Sequence, residues 1–191
     1  MTTKTPERRS AREKLLAAAD ELFYADGVHT VGIDRVIAHA GVAKASLYNT
    51  FGSKDELVRA YLTGRHQARQ ERLTRKLARY GTPRERLLGV FDVLGELAAE
   101  PGFRGCAFLN ASAEAQPGSA AQGVCDTTRA WLRELFTDLA RDAGASHPEH
   151  LARQLVLLYD GSTVSAQLDR DPAAAAAARA AAATLLEAAS R

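Results

Sequence analysis

Apolar residues recur along the chain at intervals of three and four, the spacing that places them on one face of an α-helix. The first such segment begins at Ser10, which with Glu13 forms the Ser-x-x-Glu pattern of a helix N-terminus, and it ends at Asp26-Gly27. Ser53 and Glu56 repeat that capping pattern before a long segment. The spacing predicts eight further helices. They lie at about 33–40, 44–50, 54–79, 83–100, 106–115 and 120–141, then in a segment after Gly144 and Pro148 that carries Leu151 to Leu168, and from Asp171-Pro172 to the C-terminus.

Residue usage favours a fold made of helices. Alanine and leucine number 38 and 23, whereas valine and isoleucine number only 10 and 2. Alanine and leucine favour helices, and β-branched residues favour strands. We therefore predict an all-α fold, in which the alanine tract at 173–183 belongs to the last helix and is not a linker.

The overall composition excludes several classes of protein. With 191 residues, 46% hydrophobic and 25% charged side chains, the chain matches a soluble globular protein of one domain or two small ones. No apolar run approaches the ~18 residues of a membrane-spanning helix, and the polar start has no signal-peptide core. Two cysteines, Cys106 and Cys125, are too few for a disulfide framework or a zinc site. We therefore expect a cytoplasmic protein without membrane contact, metal or cofactor.

Charge is divided unevenly along the chain. Residues 1–80 carry 15 basic and 9 acidic side chains, whereas residues 81–191 carry 10 and 14. A basic first part is typical of proteins that bind a polyanion such as DNA. An uneven surface without function explains the charge alone equally well, so a DNA-binding role needs separate evidence.

Two short helices joined by a tight turn follow the first helix and suggest a helix-turn-helix. The turn is Ala40-Gly41-Val42, in which glycine permits the positive φ angle that the connection needs. Once Val42, Leu47 and Phe51 point inward, the second helix keeps a thin polar face suited to the major groove of DNA. An ordinary helical hairpin is the alternative. The residues on the polar face are Lys44, Ala45, Ser46, Tyr48 and Asn49.

The residue types on this face fit two kinds of DNA contact. Tyr48 and Ser46 can donate hydrogen bonds to phosphates, and Asn49 and Ser46 can recognise base edges. Lys44 and Lys54 each lie in the first turn of a predicted helix, where the helix dipole disfavours a cation. A bound phosphate would remove that conflict, and simple solvation of two exposed lysines is the alternative.

Residues 10–62 resemble the DNA-binding segment of the TetR family of bacterial transcriptional regulators. The residues that carry the resemblance are Gly27, Ile33-Asp34-Arg35-Val36, Ala40-Gly41-Val42, Leu47-Tyr48, Phe51 and Ser53-Lys54-Asp55-Glu56-Leu57. The resemblance implies a nine-helix subunit with a DNA-binding domain at 1–54 and an effector-binding and dimerisation domain at 55–191. It also implies a homodimer joined through its last two helices, a double-stranded DNA operator and a small-molecule effector inside the body.

The resemblance further assigns roles within the helix-turn-helix. It places Lys44, Ala45, Ser46 and Asn49 at bases and the adjoining backbone, and Tyr48, Lys54 and Thr30 at the phosphate backbone. The chain also departs from the family's pattern. Gly32 follows Val31 where a serine or threonine cap is usual, Ala43 replaces a common serine, and Ile37 replaces a common alanine. Each missing cap would weaken its helix by about 1 kcal/mol.

The rest of the chain has the composition of a ligand-binding body, because aromatic side chains are accompanied by a few polar ones. The residues that we select as ligand-binding are Tyr61, Arg65, Phe91, Cys106, Phe108, Asn110, Trp131, Leu135 and Tyr159. Plain packing of a helical core explains the same spacing of apolar residues. The basic stretch from Arg65 to Lys76 is predicted to be a solvated helix face.

Cys106 lies at the predicted start of the sixth helix. A cysteine at a helix N-terminus has a more reactive thiolate, and the neighbouring Arg104 would add to this effect. A thiol-based sensor is one hypothesis for this residue, and a small packing residue is the other.

Together these features predict a DNA-binding transcriptional regulator, specifically a repressor that a small molecule releases from a palindromic operator. The chain has no Gly-rich phosphate loop and no Gly-x-Ser-x-Gly elbow, so we do not expect an enzyme. The alternative is a helical small-molecule carrier or sensor, acting through Cys106 if thiol-based, with a vestigial DNA-binding head. An activator with the same fold is a third hypothesis.

Overall fold

The computed structural model describes residues 9–171 and 173–190. Within these ranges it contains nine helices and no strand, which confirms the predicted all-α fold. The helices are α1 (Ala11–Asp26), α2 (Ile33–Ala40), α3 (Lys44–Phe51), α4 (Lys54–Leu77), α5 (Pro83–Ala98), α6 (Ala107–Glu114), α7 (Ala120–Asp142), α8 (Pro148–Leu168) and α9 (Ala173–Ala189). Asp171 accepts a hydrogen bond from the Ala173 amide at 2.8 Å and so caps α9, whereas Pro172 lies outside the described residues.

One of the two predicted capping boxes is complete. Ser10 Oγ accepts from the Glu13 amide at 3.2 Å, and the Glu13 carboxylate accepts from the Ser10 amide at 2.7 Å. At α4, Ser53 Oγ accepts from the Glu56 amide at 3.2 Å, but the Glu56 carboxylate binds Arg59 Nε at 2.8 Å. The prediction of a second capping box was therefore wrong for the hydrogen bond from the Ser53 amide to the Glu56 carboxylate. That carboxylate instead binds the charged side chain of Arg59 on the same helix.

The turn between α2 and α3 has the geometry that the sequence predicts. Gly41 adopts the left-handed conformation with a φ of 63°, and its amide donates to the Ala38 carbonyl at 3.2 Å. Both short helices begin without a side-chain cap, because Gly32 and Ala43 occupy their N-cap positions. The amides of both first turns therefore lack a side-chain acceptor, as the sequence departures predict.

The buried residues form two clusters. The first cluster joins α1, α2 and α3 with the N-terminal part of α4, and it also includes residues of α6 and Cys125 of α7. Leu15, Leu47 and Leu57 are fully buried in it. The first three helices therefore share one core with α4 and α6 instead of closing a core of their own.

The second cluster lies in the body, among α4, α5, α7, α8 and α9. Phe91, Phe136 and Tyr159 contact one another there. Their ring centroids are 5.8 Å apart for Phe91 and Phe136, 6.0 Å for Phe136 and Tyr159, and 6.4 Å for Phe91 and Tyr159. Helices α5 and α9 approach closely because both present small residues. A β-carbon added to Gly95 would lie only 3.4 Å from that of Ala175. The alanine tract is thus a packed helix, as its composition predicts.

Substitution of Ala43 by serine should stabilise the protein, because the N-cap of α3 already has the extended φ and ψ angles of −70° and 147° that a capping serine adopts. The expected gain is about 1 kcal/mol in the free energy of unfolding, or ~2–4 °C in Tm for a chain of this size. Circular dichroism during thermal unfolding measures the change. Ser53→Ala, at the capped start of α4, is the matched control and should lower Tm. An unchanged or lower Tm in Ala43→Ser would contradict the role of Ala43 as an N-cap.

Candidate functional site

One face of α3 is buried and the opposite face is exposed. Leu47 is fully buried, and Val42 and Phe51 are partly buried in the same cluster. Tyr48 keeps 46% of its surface exposed although it is aromatic. The exposed residues of this helix that the sequence selects are Lys44, Ala45, Tyr48 and Asn49, with Ser46 partly buried between them. The structure therefore brings the predicted residues of α3 together on one surface.

The remaining predicted DNA contacts lie at the starts of two helices. Thr30 is exposed in the loop before α2, and Lys54 is the partly buried first residue of α4. Lys44 Nζ donates to Asp34 Oδ1 of α2 at 2.8 Å, and this hydrogen bond raises the pKa of the lysine. The conflict of Lys44 with its helix dipole is thus already relieved within the chain, by a carboxylate that the sequence interpretation did not consider.

Helix α6 connects the helix-turn-helix to the body, and we call its contacts with α1 and the following loop the head–body joint. The His29 amide donates to Glu114 Oε2 at 2.7 Å, and His29 Nε2 lies 2.5 Å from the Glu114 carbonyl oxygen. Before the other end of α6, the Tyr24 hydroxyl donates to the Gly105 carbonyl at 3.0 Å and accepts from the Arg104 amide at 2.9 Å. Hydrogen bonds at both ends of α6 therefore join this helix to the segment that carries the helix-turn-helix.

A cavity of about 520 Å³ lies among α1, α4, α5, α6 and α8, and Tyr24 and Gly105 belong to both the cavity wall and the head–body joint. This volume is within the range of small-molecule sites. The wall combines apolar and charged side chains. Its charged residues are Asp20, Arg65, Arg69 and Arg72, and its larger apolar and aromatic residues are Leu16, Tyr24, Tyr61, Leu73, Val93, Leu94, Leu97, Phe108 and Tyr159.

Of the predicted ligand-binding residues, Tyr61, Arg65, Phe108 and Tyr159 line this cavity, and Phe91, Cys106, Asn110, Trp131 and Leu135 do not. Phe91 is buried in the body cluster, and Leu135 packs against that cluster. Asn110 Nδ2 donates to the Arg104 carbonyl at 3.0 Å. The Trp131 ring packs on His66, with ring centroids 5.4 Å apart. Selection by residue type alone therefore does not separate residues that pack in the core from residues that line the cavity.

The basic stretch of α4 is not a solvated face, and that prediction was wrong. Its ion pairs are Arg65–Asp20 at 2.6 Å, Arg72–Glu100 at 2.7 Å and Lys76–Glu96 at 2.7 Å. Arg69 packs over the Phe108 ring, and Arg75 alone is exposed. Residues 65, 69, 72 and 76 follow one another at three- and four-residue intervals, so they share the face of the helix that turns inward.

Asp20, Tyr24, Arg69 and Arg72 line the cavity and were missed from the sequence. One signal could have found the arginines. The apolar stripe of α4 is interrupted after Leu62, and in the next two turns arginine occupies positions where the stripe would continue. An apolar helix face that turns basic in its middle indicates a polar cavity or an internal ion pair there.

Burial shifts the pKa of three groups on or beside the cavity wall. It raises the pKa of Tyr61 and of Tyr159 above the ordinary value. Burial, and then the nearby Arg69 charge, lower the pKa of His66, whose Nδ1 lies 3.2 Å from the Thr128 hydroxyl. These three groups are therefore uncharged near neutral pH, and the charge of the wall comes from Asp20 and the arginines.

The two cysteines have different surroundings. Cys106 occupies the N-cap of α6 and is partly buried, with Arg69 Nη2 3.4 Å from its Sγ. Cys125 Sγ donates to the Phe108 carbonyl at 3.4 Å, and burial raises the pKa of this thiol to about 11. Cys125 is therefore a protonated packing residue at neutral pH, whereas a sensor role for Cys106 stays a prediction.

Comparison with known proteins identifies the family. Residues 15–61 match the model of the family described as bacterial regulatory proteins, tetR family. SCO4454, a TetR-family transcriptional regulator from Streptomyces coelicolor, has a TM-score of 0.89 at 33% identity, over 95% of this chain and 96% of that one. The sav143 protein of Streptomyces avermitilis has a TM-score of 0.84 at 37% identity, over 95% and 98%. The chain belongs to the TetR family of DNA-binding transcriptional regulators, a class of proteins that are not enzymes.

Matches to curated proteins are shorter. FasR of Mycolicibacterium smegmatis, an HTH-type transcriptional activator, is 46% identical over 55 residues, which are 29% of this chain and 25% of FasR. The chain thus spans between a quarter and about half of the curated relatives that it matches. Within the described part of the chain, no helix has the length and apolar character needed to cross a bilayer.

Proposed function

We propose that the protein is a repressor that binds a palindromic operator as a homodimer and is released by a small-molecule effector. The observation that carries this proposal is the head–body joint, through which α6 links the wall of the 520 Å³ cavity to the helix-turn-helix. A ligand changes DNA affinity if it binds one conformer of the protein better than another. A cavity that shares residues with the joint is well placed to create that difference.

The proposed recognition helix is α3, whose exposed face would enter the major groove. We assign contacts with bases and adjoining backbone to Lys44, Ala45, Ser46 and Asn49, and contacts with phosphates to Thr30, Tyr48 and Lys54. The uncapped first turns of α2 and α3 support this assignment, because the amides of the first two residues of each helix remain available to phosphate oxygens. Lys44 would exchange its Asp34 partner for a phosphate on binding.

Helices α8 and α9 offer the proposed dimer face. Leu157 and Leu168 of α8 are 69% and 73% exposed, and Gly161 and Val164 lie between them at helical spacing. The exposed positions of α9 are mostly alanine. Small side chains let helices approach closely, so two copies of this face could form a four-helix bundle. Such a dimer would present its two α3 helices to successive major grooves.

We place the division of roles after residue 54, with DNA binding in residues 1–54 and effector binding and dimerisation in residues 55–191. The first cluster supports communication across this division, because Leu57 and Phe108 pack with residues of α1 to α3. A movement of α4 or α6 would therefore reach the recognition helix through contiguous packed side chains.

The proposed function is tested by selecting genomic DNA fragments of the source organism with the purified protein at physiological salt. We expect a palindrome beside a few genes, with half-sites about one helical turn apart or a multiple of it. A reporter gene behind this operator should be repressed when the protein is present. Recovery of no fragment above background, with protein refolded to remove any bound ligand, would contradict the DNA-binding role. Activation of the reporter would contradict repression.

Tyr48→Phe should weaken binding to every duplex by about tenfold, because it removes one hydrogen bond to a charged phosphate. Asn49→Ala should instead relax sequence preference by about 1–3 kcal/mol at the bases that it contacts. Fluorescence anisotropy with operator and random duplexes at two salt concentrations measures both effects. Tyr80→Phe removes the same hydroxyl from the body and should leave DNA affinity unchanged. Equal losses on all duplexes for the Tyr48 and Asn49 variants would count against these roles.

Leu157→Asp should convert the proposed dimer into a monomer at micromolar concentration, because it would bury an unpaired carboxylate in the interface. Size-exclusion chromatography with light scattering should then give a mass near the 20.5 kDa of one chain instead of twice that value. Leu109→Asp, at a leucine of α6 that is 48% exposed, is the matched control and should remain dimeric. A Leu157→Asp protein that stays dimeric on dilution would refute the assignment of this face.

A further inference from the structure

Three arginines of α4 line the cavity, and two of them have a carboxylate partner within the chain. Arg65 binds Asp20 through two hydrogen bonds of 2.6 and 2.9 Å, and its guanidinium lies 3.9 Å from the centroid of the Tyr24 ring. Arg72 Nη1 lies 2.7 Å from Glu100 Oε1. The charges of these two arginines are therefore balanced without a ligand.

The third arginine, Arg69, has no carboxylate within ion-pair distance among the described residues. Its guanidinium lies over the Phe108 ring, 4.7 Å from the centroid, and Nη2 contacts Cys106 Sγ at 3.4 Å. A thiol is only a weak acceptor. Burial lowers the pKa of Arg69, but Tyr159, Cys106 and Asp160 around it raise that pKa overall, and the Asp160 carboxylate is itself bound to Arg129 at 2.5 Å. Arg69 is thus a partly buried cation without a carboxylate partner of its own among the described residues.

The remaining wall suits an apolar molecule with one polar end. Leu73, Val93 and Leu94 supply an aliphatic surface on the side of α4 and α5. Tyr61 and Tyr159 also line the cavity, and burial raises the pKa of both, so that their hydroxyls are neutral and can donate hydrogen bonds.

We infer that the cavity binds an organic monoanion, a carboxylate or sulfonate on an apolar body, and that Arg69 pairs with its charge. This inference rests on the proposed effector cavity and specifies the chemical class of the effector. A guanidinium that is partly removed from water and has no carboxylate partner is unfavourable. An oxyanion would supply the opposite charge together with acceptors that match the planar guanidinium. The cavity, at about 520 Å³, has room for such a molecule.

Two fluorescent probes with the same apolar body separate charge from hydrophobicity. They are 8-anilinonaphthalene-1-sulfonate, which is anionic, and N-phenyl-1-naphthylamine, which is neutral. We expect the wild-type protein to bind the sulfonate about tenfold more tightly than the neutral probe. Gly64→Trp should abolish binding of both, because Gly64 lines the cavity and a β-carbon at this residue would meet no atom within 4 Å.

Variants at position 69 assign the preference to one side chain. Arg69→Gln should lower the affinity for the sulfonate by about tenfold and leave the neutral probe within about twofold of wild type. Arg69→Lys keeps the charge and should retain most of the preference. Arg75→Gln removes an exposed arginine of the same helix and is the matched control, with both affinities unchanged. Circular dichroism establishes whether each variant is folded. If Arg69→Gln does not fold, the affinities of the wild-type protein for the two probes test the inference.

Four results would overturn the inference. Equal wild-type affinity for the two probes, or a folded Arg69→Gln protein that still prefers the sulfonate, would remove Arg69 as the anion partner and leave the cavity as a site for neutral ligands. Sulfonate binding that survives in Gly64→Trp would place that probe outside the cavity. Binding of neither probe by the wild type would overturn the inference together with the effector cavity, which distinguishes failure of the proposed function from failure of the anion assignment.

Discussion

The packing of α4 into both hydrophobic clusters is the constraint on which the rest of the structure depends. Its first turns place Leu57 and Leu62 in the cluster shared with the helix-turn-helix, and its last turns place Leu73 and Leu77 in the body cluster. A continuous helix of 24 residues transmits displacement along its axis. The orientation of α3 is therefore set by the body as well as by its own neighbours.

Between these two anchored ends, α4 presents Arg65, Arg69 and Arg72 to the cavity. The carboxylates that balance them, Asp20 of α1 and Glu100 after α5, come from different parts of the chain. Close-packed side chains resist rearrangement, whereas hydrogen bonds and ion pairs can exchange one partner for another. The side chains of α4 that can exchange partners thus lie between its contacts with the two hydrophobic clusters.

Features that depend on neighbouring residues could be predicted from the sequence, and features that depend on distant ones could not. The turn at Gly41 and the buried position of Leu47 follow from local conformation and helical periodicity, and the structure confirms both. The prediction that Arg72 lies on a solvated helix face was wrong, because its partner Glu100 is remote in sequence. Helical periodicity does not reveal which residues pack opposite a helix face. Phe91 was selected for its aromatic side chain, but apolar character does not distinguish a cavity wall from a packed core.

The core that spans residue 54 limits how regulators of this kind can be recombined. A head transplanted at that boundary would meet foreign side chains where Leu57, Tyr61 and Phe108 now pack, leaving gaps or steric overlap. A functional chimera must therefore carry the first turns of α4 and the facing side of α6 together with the head. The exposed residues of α3 do not pack in this core. On the proposed role of α3, new operator specificity is accordingly easier to reach by point substitution on α3 than by exchange of whole heads.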